Sequence, residues 1–195
     1  FNRYSATTNA SKPDFYIVPQ AWGEVVSRLA INGVQLKQIQ KDTSIQVGAY
    51  YILDHKTGNR PYEGHYLHKN IQVEEREALI NFSKGDYLIS TDQPKVRFIV
   101  SVLEPHAVDS YFAWNFFDEI LQQKEYFSHY IFEEKAQEML KNDPALEKEF
   151  RAKQKEDPEF AKNHWGQLYW LYKKSDNYEP SHLRYPVYRI KASKN

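Results

Sequence analysis

Cysteine is absent from this chain of 195 residues, which excludes disulfide bonds, thiolate nucleophiles and cysteine-ligated zinc sites. An excess of either charge is also absent, because 26 Lys and Arg residues balance 26 Asp and Glu residues. A neutral chain has no overall field that would attract nucleic acid or an anionic membrane. No apolar run approaches the length of a membrane span, and residues 1–9 lack the apolar core of a signal peptide. We therefore expect neither a nucleic-acid partner nor membrane insertion.

Aromatic residues, by contrast, are abundant: 15 Tyr, 11 Phe and 4 Trp make up 15% of the chain. Such side chains either stack on sugar rings from an exposed row or fill a core and its interfaces. Most of them recur at the spacing of a buried face, which favours the core. Coplanar, solvent-facing rings around Trp22, Tyr50, Trp165 or Trp170 would instead indicate a sugar-binding module.

The first half of the chain has the pattern of a β-rich layer. Residues 15–18 predict a short strand, and Pro19 suits the first turn of a helix that Asn32 and Gly33 end. Seven further segments carry clustered or alternating β-branched and aromatic residues between turn signals, which predicts strands that each bury one face. They are residues 34–39, 45–53, 62–68, 71–74, 78–82, 87–89 and 97–103.

The second half changes to helical spacing. Asp109 or Ser110 can cap a helix that continues to Leu121 with aromatic residues along one side. Residues 128–141 predict another helix. Two later segments each open with an Asp cap followed by Pro at the first helical position, at Asp143-Pro144 and at Asp157-Pro158. Residues 185–191 predict a final strand.

These patterns together predict an α+β fold, with a mostly antiparallel sheet or small β-sandwich in the first half and helices in the second. Residues 1–14 are polar and predict a linker or disordered end. Residues 15–195 would form one compact module, mainly β over 15–103 and mainly helical over 104–195.

Glu63, His65 and His68 place two imidazoles and a carboxylate within six residues. Side chains alternate along a strand, so Glu63 and His65 would share one face while His68 points to the other. The two histidines could then not close on one metal ion. We therefore favour a structural histidine, or a hydrogen bond between Glu63 and His65, over a metalloenzyme built on the three residues.

His106 and Asp109 invite a nucleophilic reading with Ser110 as the attacking hydroxyl. The Gly-rich turn that normally exposes such a serine is absent, whereas Asp and Ser are leading helix caps, so we favour a capping role. Residues 184–191 interleave basic and aromatic side chains, as single-strand binders do. Alternation on an edge strand gives the same pattern, and the neutral net charge favours that structural interpretation.

Residues 104–125 form a block that resembles the C-terminal portion of large bacterial zinc peptidases of the carboxypeptidase A type. Five shorter strings, at residues 16–22, 32–34, 60–68, 85–89 and 178–182, also resemble that tail region. The resemblance spans roughly residues 15–190 and rests on the number and order of the strings. None of them is a chemical motif.

Enzymes of this family hold zinc with a His, two residues and a Glu, then a more distant His, and use a late Glu as general base. No His of this chain is followed by Glu at the third position, and only His106 with Asp109 comes near that pattern. The resemblance therefore implies a chain without catalytic, metal or cofactor residues, with zinc held only in the catalytic domain of an exported parent protein.

The expected function is that of a non-catalytic C-terminal accessory domain that packs on, or shapes access to, an upstream catalytic domain. That domain, and a peptide or glycan substrate of the parent, are the expected partners. The alternative is a carbohydrate or glycopeptide binding module that uses exposed aromatic side chains.

Overall fold

A computed structural model describes residues 9–191 and confirms the α+β fold class. The described residues divide into two compact units. The sheet unit contains the chain up to Gln122 and from Leu183 onward, and the helical unit is Gln123–His182. The strands are β1 (Phe15–Val18), β2 (Lys37–Gln38), β3 (Thr43–Thr57), β4 (His68–Phe82), β5 (Tyr87–Ser90) and β6 (Arg184–Ile190). The helices are α1 (Gly23–Ile31), α2 (Val96–Leu103), α3 (His129–Asn142), α4 (Pro144–Glu156), α5 (Pro158–Lys162) and α6 (His164–Tyr172), with a 3₁₀ helix at Asp118–Leu121.

The strands form one six-stranded sheet in the order β2-β5-β1-β6-β3-β4, and all neighbouring strands are antiparallel. The predicted final strand is confirmed as β6, but β6 lies between β1 and β3, so its expected position at an edge of the sheet is wrong. Successive side chains of a strand point to opposite faces. Accordingly Tyr16 and Val18 join one apolar cluster, whereas Ile17 joins a second cluster with Val47 and Tyr188.

The larger cluster combines one face of the sheet with α1, α2 and the segment after α2. Its fully buried members include Leu29 of α1, Ile99 of α2, and the aromatic residues Phe112 and Phe117. Burying apolar side chains of this size stabilises a fold by roughly 1.5 to 3 kcal/mol each. This cluster therefore fixes residues 111–120 against the sheet.

Strands β3 and β4 form a long hairpin, with Thr43 opposite Phe82 at one end and Thr57 opposite His68 at the other. The sequence predicted a strand over residues 62–68, and that prediction is wrong. Tyr62 and His65 exchange backbone hydrogen bonds of 2.8 and 2.9 Å across a two-residue turn. Both central residues have positive φ, 49° at Glu63 and 82° at Gly64, which is the geometry of a tight hairpin turn.

Three other segments differ from their predicted structure. Residues 97–103 form α2 rather than a strand, because Ile99, Val102 and Leu103 bury one helical face in the larger cluster. The predicted helix starting at Asp109 or Ser110 is wrong, since turns occupy the segment until the 3₁₀ helix begins at residue 118. The strand predicted over 34–39 shortens to the two residues of β2.

The helical unit contains α3 to α6 around a core of Phe132, Ala136, Phe150, Leu168, Leu171 and Tyr172. Both predicted Asp-Pro starts are confirmed. The Asp143 carboxylate accepts hydrogen bonds from the backbone N–H groups of Ala145 and Leu146, and the Asp157 carboxylate accepts one from that of Phe160. No helix within residues 9–191 is long and apolar enough to cross a membrane. The predicted linker over 1–14 lies mostly outside the described residues.

Candidate functional site

Residues 60–68 and 104–125, two of the segments that the sequence analysis singled out, lie against each other in the sheet unit. The backbone N–H of His68 donates to the carbonyl oxygen of Ala113 at 2.9 Å. The Asn115 side-chain amide donates to the carbonyl oxygen of Tyr66 at 2.8 Å. Asn115 adopts a left-handed conformation with a φ of 67°, which Asn tolerates better than most residues. The sheet unit thus places the hairpin turn directly against the loop after α2.

His68 forms the buried centre of this junction, with only 4% of its surface exposed. Its Nε2 lies 2.9 Å from Oδ1 of Asp118, and its Nδ1 lies 3.0 Å from the Thr57 hydroxyl oxygen. A neutral imidazole carries one donor and one acceptor nitrogen. Because a carboxylate only accepts, Nε2–H donates to Asp118 and Nδ1 accepts the Thr57 hydroxyl proton. Both ring nitrogens are therefore satisfied.

Asn115 approaches the same ring, with its amide nitrogen 3.2 Å from Nε2 of His68. Nε2 cannot accept from this amide while it donates its own proton to Asp118. The bond to Tyr66 is therefore the one that holds the Asn115 amide, and its Oδ1 is buried without a partner. The arrangement selects one imidazole tautomer, which fixes the orientation of the ring.

His55 packs edge-on against His68, with ring centroids 4.5 Å apart. Burial, and then the nearby His68 ring, lower the pKa of His55 below its ordinary value. Asp118 lies close to both, so three residues of types that can bind metal ions meet here. However, no group of three or more His, Asp or Glu side chains among residues 9–191 has the arrangement of a metal site.

The structure separates the residues that the sequence grouped into candidate sites. Glu63 lies in the exposed turn, and the predicted bond to His65 is not among the hydrogen bonds of the described residues. His65 instead contacts the rings of Trp114 and Phe116, each with centroids 5.6 Å away. His65 and His68 thus take different partners: His65 packs on two aromatic rings, and His68 forms hydrogen bonds with Asp118 and Thr57.

His106, Asp109 and Ser110 likewise form no catalytic constellation. Ser110 is completely buried, and its hydroxyl donates to the Pro105 carbonyl while accepting the Ala113 N–H. The hydroxyl thus caps the turn that follows Ser110, where a helix was predicted, and no substrate can reach it. Asp109 is exposed. The His106 ring lies edge-on to Tyr50, and both of its buried nitrogens have no hydrogen-bond partner among the described residues.

An exposed aromatic surface covers the outside of the junction. We define it as Tyr62, His65, Tyr66, Trp114 and Phe116, and call it the aromatic turn surface. Tyr62 and Tyr66 are 59% and 50% exposed, and the Tyr62 ring lies 6.0 Å from that of Trp114. Of these five residues only His65 stood out individually in the sequence. The other four lie in two strings dense in aromatic residues, which were the available signal.

The four aromatic residues nominated for sugar binding lie in other surroundings. Tyr50 is buried, Trp22 packs edge-on against Phe117, and Trp170 packs against Phe150 and Phe160. Trp165 is 52% exposed and stacks on Tyr169 with centroids 5.0 Å apart. That stacking covers one face of Trp165 with another ring. The described rings therefore do not form the row of open faces that the sugar-binding alternative needs.

A buried charge network lies at the other end of the 104–125 block. Arg189 and Glu104 are each about 1% exposed at the side chain, and Nε of Arg189 lies 3.1 Å from Oε1 of Glu104. Nη1 of Arg189 also lies 2.7 Å from Oε1 of Glu75, and its guanidinium covers the Tyr50 ring at 4.8 Å. The Tyr16 hydroxyl donates to Glu104 at 2.6 Å.

The network keeps Arg189 in its charged form. Burial alone would lower the pKa of Arg189, but Glu104, Tyr50 and Glu75 together raise it. Burial, followed by the negative charge of Glu104, raises the pKa of Tyr16 far above its usual range. Two carboxylates facing one guanidinium satisfy the rule that buried charges are paired. The network therefore ties the start of the block to strands β4 and β6.

Comparisons with known proteins relate part of this chain to fungal proteins. No protein-family model matches the chain, and no solved structure matches it. The chain is 26% identical over 106 residues to "Carboxypeptidase 2" of Trichophyton tonsurans, a match that covers 54% of this chain and 20% of that protein. The proteins of the same name from Trichophyton equinum and Trichophyton rubrum match at 26% over 106 residues and 27% over 101 residues. The chain thus spans about a fifth of the length of these relatives and contains a carboxypeptidase-related region.

Proposed function

We propose that this chain is a non-catalytic accessory region of a carboxypeptidase-like protein, which packs on or shapes access to a catalytic region outside the chain. The similarity to fungal carboxypeptidases supports the relationship, since the matched region covers about a fifth of each relative and leaves most of its length unmatched. The bacterial, C-terminal and exported character of the parent protein rests on the sequence resemblance and stays part of the proposal.

The observation that carries the proposal is the aromatic turn surface. Exposed tyrosines beside a tryptophan form the kind of patch that is enriched at protein interfaces. Hydrogen bonds support this patch from behind. The Asn115 amide binds the Tyr66 carbonyl, beside the buried His68 ring with its bonds to Asp118 and Thr57. A rigid aromatic patch loses little conformational freedom on binding, which favours docking against another folded surface.

The chemistry of the same region favours docking over catalysis. A general base needs a nitrogen within reach of a substrate proton. In His68 one nitrogen is occupied by Asp118 and the other by Thr57, and the ring is almost completely buried. Ser110 is inaccessible for the same reason. We infer from this that zinc and the hydrolytic groups belong to the parent protein's catalytic region.

The sugar-binding alternative has weaker support. It requires at least two open, coplanar aromatic faces, and of the four nominated residues only Trp165 is more than half exposed. The aromatic turn surface is not coplanar either, because the planes of Tyr62 and Trp114 are inclined by 56° and those of His65 and Trp114 by 76°. Inclined rings suit an interface better than the flat face of a sugar.

The decisive experiment compares this chain alone with a longer protein that includes the catalytic region. We expect zinc at one equivalent and release of C-terminal amino acids only from the longer protein. In that protein, Tyr62→Ala combined with Tyr66→Ala should weaken the contact between the regions, seen as earlier thermal unfolding of the catalytic region or a changed KM. Tyr130→Ala, which removes a tyrosine 82% exposed on the helical unit, is the matched control.

Two results would contradict the proposal. Stoichiometric zinc with peptidase activity in the short chain would mean that its histidines form a true site. A longer protein whose catalytic region unfolds and turns over identically with the double variant, the control and the unmodified chain would remove the docking role. Retention of the short chain on immobilised oligosaccharides, lost on Trp165→Ala, would favour the sugar-binding alternative.

A further inference from the structure

The helical unit contains a cleft of about 530 Å³, lined by residues from the segment before α3, from α3 itself, from the end of α6 and from the turn after α6. Its walls are mainly aromatic and aliphatic. Their side chains are Tyr126, Phe127, Ile131, Phe132, Tyr172 and Tyr178. The volume falls in the range of small-ligand sites, which are typically apolar clefts with a few polar groups.

Three carboxylates also line this cleft: Glu125, Asp176 and Glu179. None of them forms an ion pair with any residue of the described part of the chain. One cation, Lys135, lines the cleft as well, but its ammonium contacts the neutral side-chain oxygen of Asn177. Three negative charges and one positive charge leave the lining with a net charge of −2.

Elsewhere in the helical unit, aromatic faces already carry cations from the chain itself. Lys174 lies over Trp170 at 4.6 Å, Lys173 over Tyr169 at 4.8 Å, and Lys153 over Phe160 at 4.9 Å. Within the described residues, no Lys or Arg lies over a ring of the cleft wall. The cleft therefore combines aromatic side chains, of which Tyr126 is 67% exposed, with carboxylates that no Lys or Arg of the described residues pairs with.

We infer that this cleft binds a cationic organic group, such as the guanidinium or ammonium of a basic peptide side chain. Aromatic rings attract such cations through their negative faces, and the attraction is greater where water is excluded. Carboxylates at the same site add charge complementarity and, for a guanidinium, paired hydrogen bonds.

The ionisation of the lining is consistent with this ligand class. A hydrogen bond from the Ser181 hydroxyl, followed by one from the Lys124 backbone N–H, lowers the pKa of Glu179, so this carboxylate is charged at neutral pH. Burial, and then the charges of Glu125 and Glu179, raise the pKa of Tyr172. The Tyr172 hydroxyl thus stays neutral, and two nearby carboxylates contribute to the raised pKa.

The inference concerns the helical unit and does not rest on the proposed function, whose docking surface belongs to the sheet unit. The test uses the whole chain and two capped tripeptides, acetyl-Gly-Arg-Gly-amide and the same peptide with citrulline. Citrulline has the shape of arginine but no charge. We expect titration calorimetry and shifts of amide resonances around residues 125–132 to show binding of the arginine peptide, at least tenfold tighter than the citrulline peptide.

Substitutions in and outside the cleft test whether the arginine peptide binds there. Glu125→Gln combined with Asp176→Asn removes two carboxylates that form no hydrogen bond or ion pair with the described residues. This double substitution should weaken arginine-peptide binding at least tenfold. Glu134→Gln, an exposed carboxylate of α3 outside the cleft, should leave it unchanged. Tyr126→Ala removes part of the wall and should also weaken binding, whereas Tyr130→Ala should not.

A gain of affinity provides the strongest check, because damage to the fold does not produce it. Lys135→Gln removes the only cation of the cleft lining and should tighten binding of the arginine peptide severalfold. Far-ultraviolet circular dichroism establishes that each variant is folded. Equal binding of the arginine and citrulline peptides, absence of binding at millimolar concentration, or affinity unchanged in the double carboxylate variant would each overturn the inference.

Discussion

Arg189 of the last strand and Glu104 at the end of α2 form a buried ion pair, with Nε and Oε1 3.1 Å apart and each side chain about 1% exposed. The pair joins residues 85 positions apart, the difference between 189 and 104. Removing one partner of such a pair leaves an uncompensated charge away from water. Glu104 is therefore a structural anchor of residues 104–125.

Glu104→Ala should lower the free energy of unfolding of the sheet unit by about 3 to 5 kcal/mol, because the Arg189 charge and the Tyr16 hydroxyl lose a buried partner. Denaturant unfolding followed by tyrosine and tryptophan fluorescence measures the change. Glu74→Ala is the control, since Glu74 pairs with Arg76 at the surface and should contribute about 0 to 1 kcal/mol. Equal effects of the two substitutions would refute the anchoring role.

Asp118→Ala removes the acceptor of the His68 Nε2 proton. The Asp118 side chain is 45% exposed, so solvent screens the charge and we expect a loss of only about 1 kcal/mol. We also expect a change of imidazole tautomer, because Nε2 is then free to accept the Asn115 amide 3.2 Å away.

Nitrogen NMR of the His68 ring reports the tautomer directly. The neighbouring Glu119→Ala changes an exposed carboxylate with no partner in the described region and should alter neither quantity. An unchanged tautomer in Asp118→Ala would mean that Asp118 does not orient the ring.

Acidification should destabilise the sheet unit through His55. Burial and the His68 ring hold the pKa of folded His55 below 6.5, so the unfolded chain takes up this proton first. The free energy of unfolding should therefore fall as the pH drops from about 6.5 to the lower pKa of the folded state, and this contribution should level off below it.

Unfolding curves between pH 7.5 and pH 5 measure this dependence. His55→Gln should flatten the slope in that range, whereas His129→Gln, at an exposed histidine of α3, should leave it unchanged. A slope of the same size in His55→Gln and the unmodified chain would assign the acid sensitivity to other groups.

Asp143→Ala should destabilise the helical unit by about 1 kcal/mol, because the N–H groups of Ala145 and Leu146 lose their capping acceptor. Asp143→Asn keeps a capping oxygen and should retain most of the stability. Amide hydrogen exchange at the start of α4 measures the difference locally. Similar exchange rates in the two variants would mean that the Asp143 side chain does not cap the helix.

Local signals predicted much of the fold. An Asp before a Pro was sufficient to place the starts of α4 and α5, because the cap and the fixed proline φ act within one turn. Alternation in residues 185–191 predicted the final strand, but β6 is buried on both faces from Tyr185 to Arg189 because it lies inside the sheet and not at its edge. The two helix starts depend on neighbours in the sequence and not on the rest of the fold.

Three segments depended on distant contacts. Residues 97–103 are rich in β-branched residues, but burial of Ile99, Val102 and Leu103 against the sheet favours a helix there. The loop after α2 has helical spacing, yet the Ser110 hydroxyl and the left-handed Asn115 hold it in turns. The Glu63-Gly64 turn interrupts a run of apparent strand residues.

The candidate site shows the same division. Residue types and spacing alone pointed to residues 60–68 and 104–125, excluded a His-x-x-Glu zinc-binding pattern, and gave the chemistry of each side chain. Only the tertiary structure decided that His68 meets Asp118 rather than His65 or Glu63, and that tyrosines and a tryptophan from separate strings share one surface. The physical reason is that residue type and spacing set local conformation, whereas contacts between distant residues depend on how strands pair and which faces they bury together.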